Sequence, residues 1–332
     1  MRRRQFLVSG IVYATSLGGA RGFQAGPVPT LAIIHPSEPV GNLTTSSSNL
    51  VGNALKHLEK LGYYEGKNID IRRYSAMGST EKLRELASTV VLSKPDVILA
   101  ISGKTVSKLA KLTNNIPIVG VMSDPVAYGL VTSLSHPGGN ITGASVDPGI
   151  DIWVKRMALL KEAVPGMSRV FYVAPDSTWT TAVGIEVKVA AQKIGVELIG
   201  PPVEDPHGEA EYTKAFTGVS ERADAVLVSS AAENRTVGKL IVKLAQANRL
   251  PALYPYRTYV SDGGLMAHDL DIADIWTRAA DQIAWIFRGD KPGDIPIYQP
   301  RQYHFVINME AAKAIGFEFK QNLIAMADEI ID

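Results

Sequence analysis

Asp96-Val97-Ile98-Leu99-Ala100-Ile101-Ser102-Gly103 is the stretch from which the fold can be read. Its unbroken apolar run predicts a strand covered on both faces, as in a parallel sheet flanked by helices. Ser102-Gly103-Lys104-Thr105 then forms a small polar turn that opens a helical stretch. A second strand, Ile116-Pro117-Ile118-Val119, is entered through proline. The same order recurs at Asp224-Ala225-Val226-Leu227-Val228-Ser229-Ser230 and Leu250-Pro251-Ala252-Leu253-Tyr254. Each copy is preceded by its own opening strand, Thr30–Ile34 in the first and Arg169–Val173 in the second. Two matched units predict an α/β protein of two doubly wound parallel-sheet lobes with a ligand cleft between them.

The chain of 332 residues is long enough for two domains, and 46% hydrophobic with 20% charged residues is a globular composition. The formal net charge is +1, and losing Arg2, Arg3, Arg4 and Arg21 would make it −3. Neither value marks a nucleic-acid or anionic-membrane surface. The absence of cysteine excludes thiol catalysis, disulfides and cysteine metal sites.

The N-terminus has the order of a secretory signal. Arg2-Arg3-Arg4 precede an apolar run from Phe6 to Leu17, followed by Gly18, Gly19, Ala20 and Gly22. The run is short for a membrane span. Arg3-Arg4-Gln5-Phe6-Leu7 also resembles a twin-arginine signal. The expected signal peptide is 1–25, and the expected location is the periplasm by the twin-arginine or the general secretory route.

Further along, helices are expected from about Ser48 to Leu61 and after the N-cap Ser79. Ser135–Asn140 is a dense turn signal, and Ile141–Ser145 is expected to carry the chain toward the second lobe. The β-α order throughout predicts parallel sheets. The expected lobes are 28–143 with 268–294, and 144–267 with 295–332, the helix near 272–288 returning to the first. Asp269–Asp274 reads as acids at a helix start.

Motifs of catalysis are missing. There is no Gly-x-Gly-x-x-Gly after a strand, no Walker loop and no Gly-x-Ser-x-Gly elbow. The six histidines show no metal-ligand spacing. No enzyme activity, cofactor, metal or catalytic residue is expected.

Ligands of parallel α/β sheets gather at the carboxyl ends of strands. Those ends supply Ser37, then Ser102, Gly103 and Thr105, then Asp124 and Pro125, in the first lobe. In the second they supply Asp176 with the nearby Trp179, then Ser229, then Tyr254 and Arg257. The Ser102–Thr105 turn opens a helix, so its N–H groups suit a carboxylate, with plain N-capping as the competing reading. Asp124 and Asp176 suit an ammonium, or else form turns beside proline. Tyr254 and Trp179 suit an aromatic body, or else ordinary packing, and Arg257 suits a carboxylate clamp or else free surface.

Several stretches together carry a resemblance. They are Ile116-Pro117-Ile118-Val119 running on to Ser123-Asp124-Pro125-Val126, His136-Pro137-Gly138-Gly139-Asn140-Ile141-Thr142-Gly143, Leu250–Pro255, and Val306-Ile307-Asn308 with Ala311–Gly316. The chain resembles the ABC transporter substrate-binding proteins of the tryptophan/tyrosine type. The resemblance implies a type I periplasmic binding fold, hinge closure on a small solute and delivery to an ABC permease in the inner membrane. It also implies no catalysis. A monomer binding a small carboxylate-bearing ligand, an aromatic amino acid or aromatic acid, is expected. A ligand-sensing receptor subunit is the alternative, and a two-lobed transferase a more distant one. His35-Pro36-Ser37 and Ala174-Pro175-Asp176 depart from the family's usual turns, which leaves the ligand open.

Overall fold

The computed structural model describes residues 28–332 except 48, 49, 147, 148, 271 and 301. The expected signal peptide and the start of the expected first helix lie outside the described residues.

Five strands form the first sheet: β1 (Thr30–His35), β2 (Asp70–Ser75), β3 (Val97–Ile101), β4 (Ile118–Met122) and β5 (Ile141–Ser145), in the order β2-β1-β3-β4-β5. All pairings are parallel. Alternate residues of β1 and β3 enter opposite cores. Leu31, Ile33, Leu99 and Ile101 pack with Leu55 and Leu58 of the helix Leu50–Lys60 and with Ile283 of the helix Ile272–Phe287. Ala32, Ile34, Ile98 and Ala100 pack with Leu83 and Val90 of the helix Thr80–Leu92 and with Val106 of the helix Gly103–Ala110. Burial from both sides is the reason these strands read as continuous apolar runs. Ser79 caps its helix through a hydrogen bond from Lys82 N (3.2 Å).

The second sheet has seven strands: β6 (Arg169–Val173), β7 (Glu197–Ile199), β8 (Ala225–Val228), β9 (Ala252–Tyr254), β10 (Met266–Leu270), β11 (Tyr303–Asn308) and β12 (Glu329–Ile331). Their order is β12-β11-β10-β9-β8-β6-β7. The β11 strand runs antiparallel to β10, a departure from the expected all-parallel sheet, and β12 is a strand the sequence pattern did not reveal. The reason is connectivity. The chain reaches β11 from the first lobe by a Pro/Gly-rich segment, not by a helix returning over its own sheet.

Chain passage between the sheets is set by hydrogen bonding. β5 belongs to the first sheet through Ser145, and β10 to the second through Leu270. The helix Ile272–Phe287 packs on β3, β4 and β5. Ile295–Tyr298 also stays with the first sheet, since Tyr298 N donates to Gly143 O (2.9 Å) and Ser145 N to Tyr298 O (2.8 Å). The changes of sheet therefore fall a few residues later than 143, 267 and 294. Asp269 is part of β10 rather than of a helix start, whereas Asp274 does sit in the first helical turn.

The His136–Gly143 stretch has a structural task at this junction. Gly138 N donates to Gly293 O (3.1 Å), Thr142 Oγ1 to Ile295 O (2.8 Å), and Asn140 Nδ2 to Ile116 O (2.7 Å). Gly143 has φ 141°, and a Cβ there would lie 1.9 Å from Gly120 O, so only glycine fits. Among the described residues no helix is long and apolar enough to cross a membrane, and no group of three or more His, Cys, Asp or Glu is placed to hold a metal.

Candidate functional site

The carboxyl ends of β3 and β4 face those of β6, β8 and β9 across a cleft. Ser102, Gly103, Lys104, Ser123 and Tyr128 line one wall. Ser177, Ser229, Ser230, Glu233, Arg235 and Tyr256 line the other, and Trp276 reaches in from the helix Ile272–Phe287.

The first wall is organised by Ser102. It has φ 81°, a left-handed conformation costly for a residue with a Cβ. That turn places Ser102 Oγ 3.0 Å from Thr105 Oγ1, with Thr105 N donating to it (3.3 Å). Thr105 is fully buried. The side-chain cap satisfies Thr105, and Val106 N donates to Ser102 O, which leaves the N–H groups of Gly103 and Lys104 at the open helix start. A Cβ on Gly103 would come within 3.2 Å of the Tyr128 ring, so glycine lets that ring pack closely on the helix start.

The second wall is organised by Asn234. Its Nδ2 donates to Val173 O (2.9 Å), Ser229 O (3.1 Å) and Ser229 Oγ (2.9 Å), and its Oδ1 accepts from Tyr212 OH (2.6 Å). Asn234 is completely buried. It therefore fixes the loop Ser229–Glu233 against β6. Tyr256 OH donates to Ser230 O (3.1 Å), and the Arg235 guanidinium lies 5.3 Å from the Tyr256 ring centroid. Glu233 is only 5% exposed, and among the described residues its carboxylate receives no hydrogen bond and joins no ion pair.

The walls touch. Ser37 Oγ is 2.7 Å from Thr236 Oγ1, Lys104 Nζ donates to Ser177 Oγ (3.4 Å) and to Thr80 Oγ1 (2.6 Å), and Tyr128 OH donates to Thr181 Oγ1 (3.1 Å). Deeper along the cleft edge, Thr80 N donates to Asp205 Oδ1 (2.7 Å). Buried His207 sits 2.9 Å from Gly78 O and 2.9 Å from Asp176 Oδ1. The lobes are thus closed on each other. The cavity left between them is about 70 Å³, room for a few waters.

The cleft brings together Ser102, Gly103 and Ser229 of the residues singled out from sequence, with Thr105 directly behind them. Others are placed elsewhere. Ser37 bridges the lobes through Thr236 rather than lining the cavity. Asp124 Oδ1 accepts from Val126 N (2.9 Å) and Ala127 N (3.0 Å), a turn beside Pro125, which is buried in the same loop. Asp176 holds Ser177 N and His207. Trp179 packs its ring against Tyr172, 5.4 Å away. Tyr254 is 1% exposed, stacked on Tyr259 at 5.0 Å, and its hydroxyl pKa is raised by burial. Arg257 points to the surface and pairs with Glu329 (Nε to Oε2, 2.6 Å). The cleft is also lined by Lys104, Glu233, Arg235, Tyr256 and Trp276, which were not singled out from sequence. Glu233 and Arg235 lie just past the Ser229-Ser230-Ala231 turn, so extending the strand-end rule by one helical turn finds two of these positions. Trp276 comes from a helix whose return to the cleft only the fold reveals.

Residues 45–331 match the family model described as ABC transporter substrate binding protein. A curated tyrosine-binding protein of Clostridioides difficile (strain R20291) is 27% identical over 268 residues, covering 80% of this chain and 75% of that protein. Among solved structures, a conserved domain protein from Vibrio cholerae O1 biovar El Tor superposes with a TM-score of 0.78 at 24% identity, over 92% of this chain and 100% of that one. An ABC domain in complex with L-Trp from Streptococcus pneumoniae superposes with a TM-score of 0.76 at 21% identity, over the same shares.

Proposed function

Because the chain belongs to the ABC transporter substrate-binding protein family, we propose that it is the periplasmic solute-binding component of an importer, closing on an aromatic amino acid or aromatic acid. The carrying observation is the wall at Ser102–Lys104. Two N–H groups at the start of an eight-residue helix open into the cleft beside the Ser102 hydroxyl, an arrangement that suits a carboxylate. Lys104 and Arg235 outnumber Glu233 in the lining, which favours an anionic group there. Tyr128, Tyr256 and Trp276 offer faces for an aromatic body. The tyrosine-binding relative and the L-Trp complex support that cargo.

The lobes, approximately 28–145 with 271–298 and 146–270 with 302–332, move as rigid bodies about the three crossings. Ligands of this size occupy pockets of about 300 Å³ or more, so loading requires the lobes to part and reclose. The contacts across the cleft are hydrogen bonds each worth about 1 kcal/mol net, a scale that permits opening. The role is binding without turnover. Ser102 and Gly103, with Thr105 behind them, hold the carboxylate, and Ser229 faces them. The chain is exported as a monomer and hands its ligand to a permease in the inner membrane.

Thermal-shift measurement against the twenty amino acids and aromatic acids tests the reading. A solute at 100 times its Kd stabilises by about 2.7 kcal/mol. No shift with any carboxylate-bearing solute refutes it, and unchanged affinity in Ser102→Ala removes the carboxylate site.

A further inference from the structure

We infer that a second cavity beside the cleft receives an oxygen acceptor at the far end of the ligand's side chain, so that the protein selects a ring bearing a hydroxyl or carboxylate over the bare ring. The inference rests on the cleft-binding reading above and adds to it the character of the side chain. The cavity measures about 160 Å³ and shares Ile101, Ala232, Arg235 and Trp276 with the lining of the cleft. Its polar lining is rich in donors that meet no acceptor. Trp276 is 2% exposed, and its Nε1–H has no hydrogen-bond partner. The buried His35 ring uses Nδ1 to accept from Ser37 N and Glu38 N, so the neutral ring carries its proton on Nε2. Burial and the Arg235 charge keep that ring neutral by lowering its pKa to about 3. Among the described residues no acceptor meets the Nε2–H, and the Arg235 guanidinium, stacked over Tyr256, makes no hydrogen bond or ion pair. The acid in the lining, Glu38, already accepts from Asn42 Nδ2 (2.7 Å).

Three such donors around one cavity suit an oxygen that accepts hydrogen bonds. In an open cleft water meets them. A bare ring entering the closed cavity would strip that water away and leave the donors unpaired. His35 and Trp276 belong to the first lobe and Arg235 to the second. Closure therefore assembles the subsite, and recognition of the side-chain oxygen is tied to it.

The test is titration calorimetry of wild type, Arg235→Met and His35→Asn with L-tyrosine, 4-carboxy-L-phenylalanine and L-phenylalanine. Wild type is expected to bind the better of the two oxygen-bearing solutes about 30-fold or more tighter than L-phenylalanine, the scale for leaving buried donors unpaired. Each variant removes one donor. His35→Asn keeps an acceptor for the two loop N–H groups, so it tests the subsite even where Arg235→Met folds poorly. The preference should fall by about threefold or more, with the Kd for L-phenylalanine changed less than that. Tighter binding of 4-carboxy-L-phenylalanine assigns an anionic end to Arg235, and tighter binding of L-tyrosine assigns a phenol to the neutral donors; both support the subsite. Wild-type affinity for L-phenylalanine equal to that for the other two, or a preference unchanged in both variants, overturns the subsite and leaves cleft binding standing. Binding of none of the three also overturns it, and overturns the functional reading only if no other carboxylate-bearing solute shifts the melting temperature.

Discussion

His35 ends β1 with its ring inside the protein, and its Nδ1 accepts hydrogen bonds from Ser37 N (3.1 Å) and Glu38 N (2.8 Å). Those bonds shape the loop that carries Ser37 across to Thr236, and they require Nδ1 to be unprotonated. Burial first, and the Arg235 charge second, lower the His35 pKa from 6.5 to about 3. The unfolded chain therefore takes up a proton at this ring below pH 6.5 while the folded chain does not. Stability is flat above pH 6.5 and falls between pH 6.5 and 3. At pH 5 the loss is about 2 kcal/mol, approaching about 5 kcal/mol near pH 3. His35→Asn offers Oδ1 to the same two N–H groups and does not titrate. Urea unfolding followed by tryptophan fluorescence at pH 7.5 and pH 5.0 measures the difference. The variant should lose about 2 kcal/mol less than wild type on acidification. His268, whose pKa burial also lowers to about 3, adds to the acid sensitivity of both proteins. Asp269, raised to about 6 by burial, acts oppositely: its contribution is present at low pH and lost as pH rises through 6. Both terms are common to the two chains and cancel in the comparison. Parallel pH dependences in wild type and His35→Asn would refute the reasoning.

Gly78→Ala should impair closure and cost stability together: its Cβ would lie 1.9 Å from Pro206 O on the other lobe, and its φ of 87° strains an alanine. Calorimetry should show solute affinity reduced about tenfold or more, with Tm lowered by the backbone strain. Asn234→Ala removes four buried hydrogen-bond contacts and should lower unfolding free energy by about 3 kcal/mol or more in denaturant titration. Arg257→Ala breaks the surface pair with Glu329 and an exposed hydrogen bond to Ser261 Oγ. It should change stability by less than about 1 kcal/mol and leave solute affinity as it was.

The two-lobed architecture was legible because its signals are local. Val97–Ile101 and Ala225–Val228 are apolar on both faces, and Ser79 or Asn308 caps a helix using its own neighbours. The site was legible only where the strand-end rule applied. Ser102, Gly103 and Ser229 follow their strands immediately. Asp124 and Asp176 stand at equally good positions, but nearby backbone N–H groups, and in the second case His207, already occupy their carboxylates. Tyr254 shows the limit most plainly. An aromatic residue at a strand end looks the same in sequence whether it faces a cleft or, as here, stacks on Tyr259 inside the core.

What the sequence determined by itself, then, is the β-α succession, its duplication and the turn that opens the helix Gly103–Ala110, because these depend on residues within a few positions of one another. Tertiary structure decided the rest. It set β11 antiparallel, since its chain arrives from the other lobe. It brought Trp276 into the cleft on the helix Ile272–Phe287, which packs on the first sheet although it follows the strands of the second. And it turned Glu233, one acid among 33 in the chain, into a buried carboxylate facing the cleft, since burial and pairing depend on which distant surfaces meet and not on the residue's neighbours in sequence.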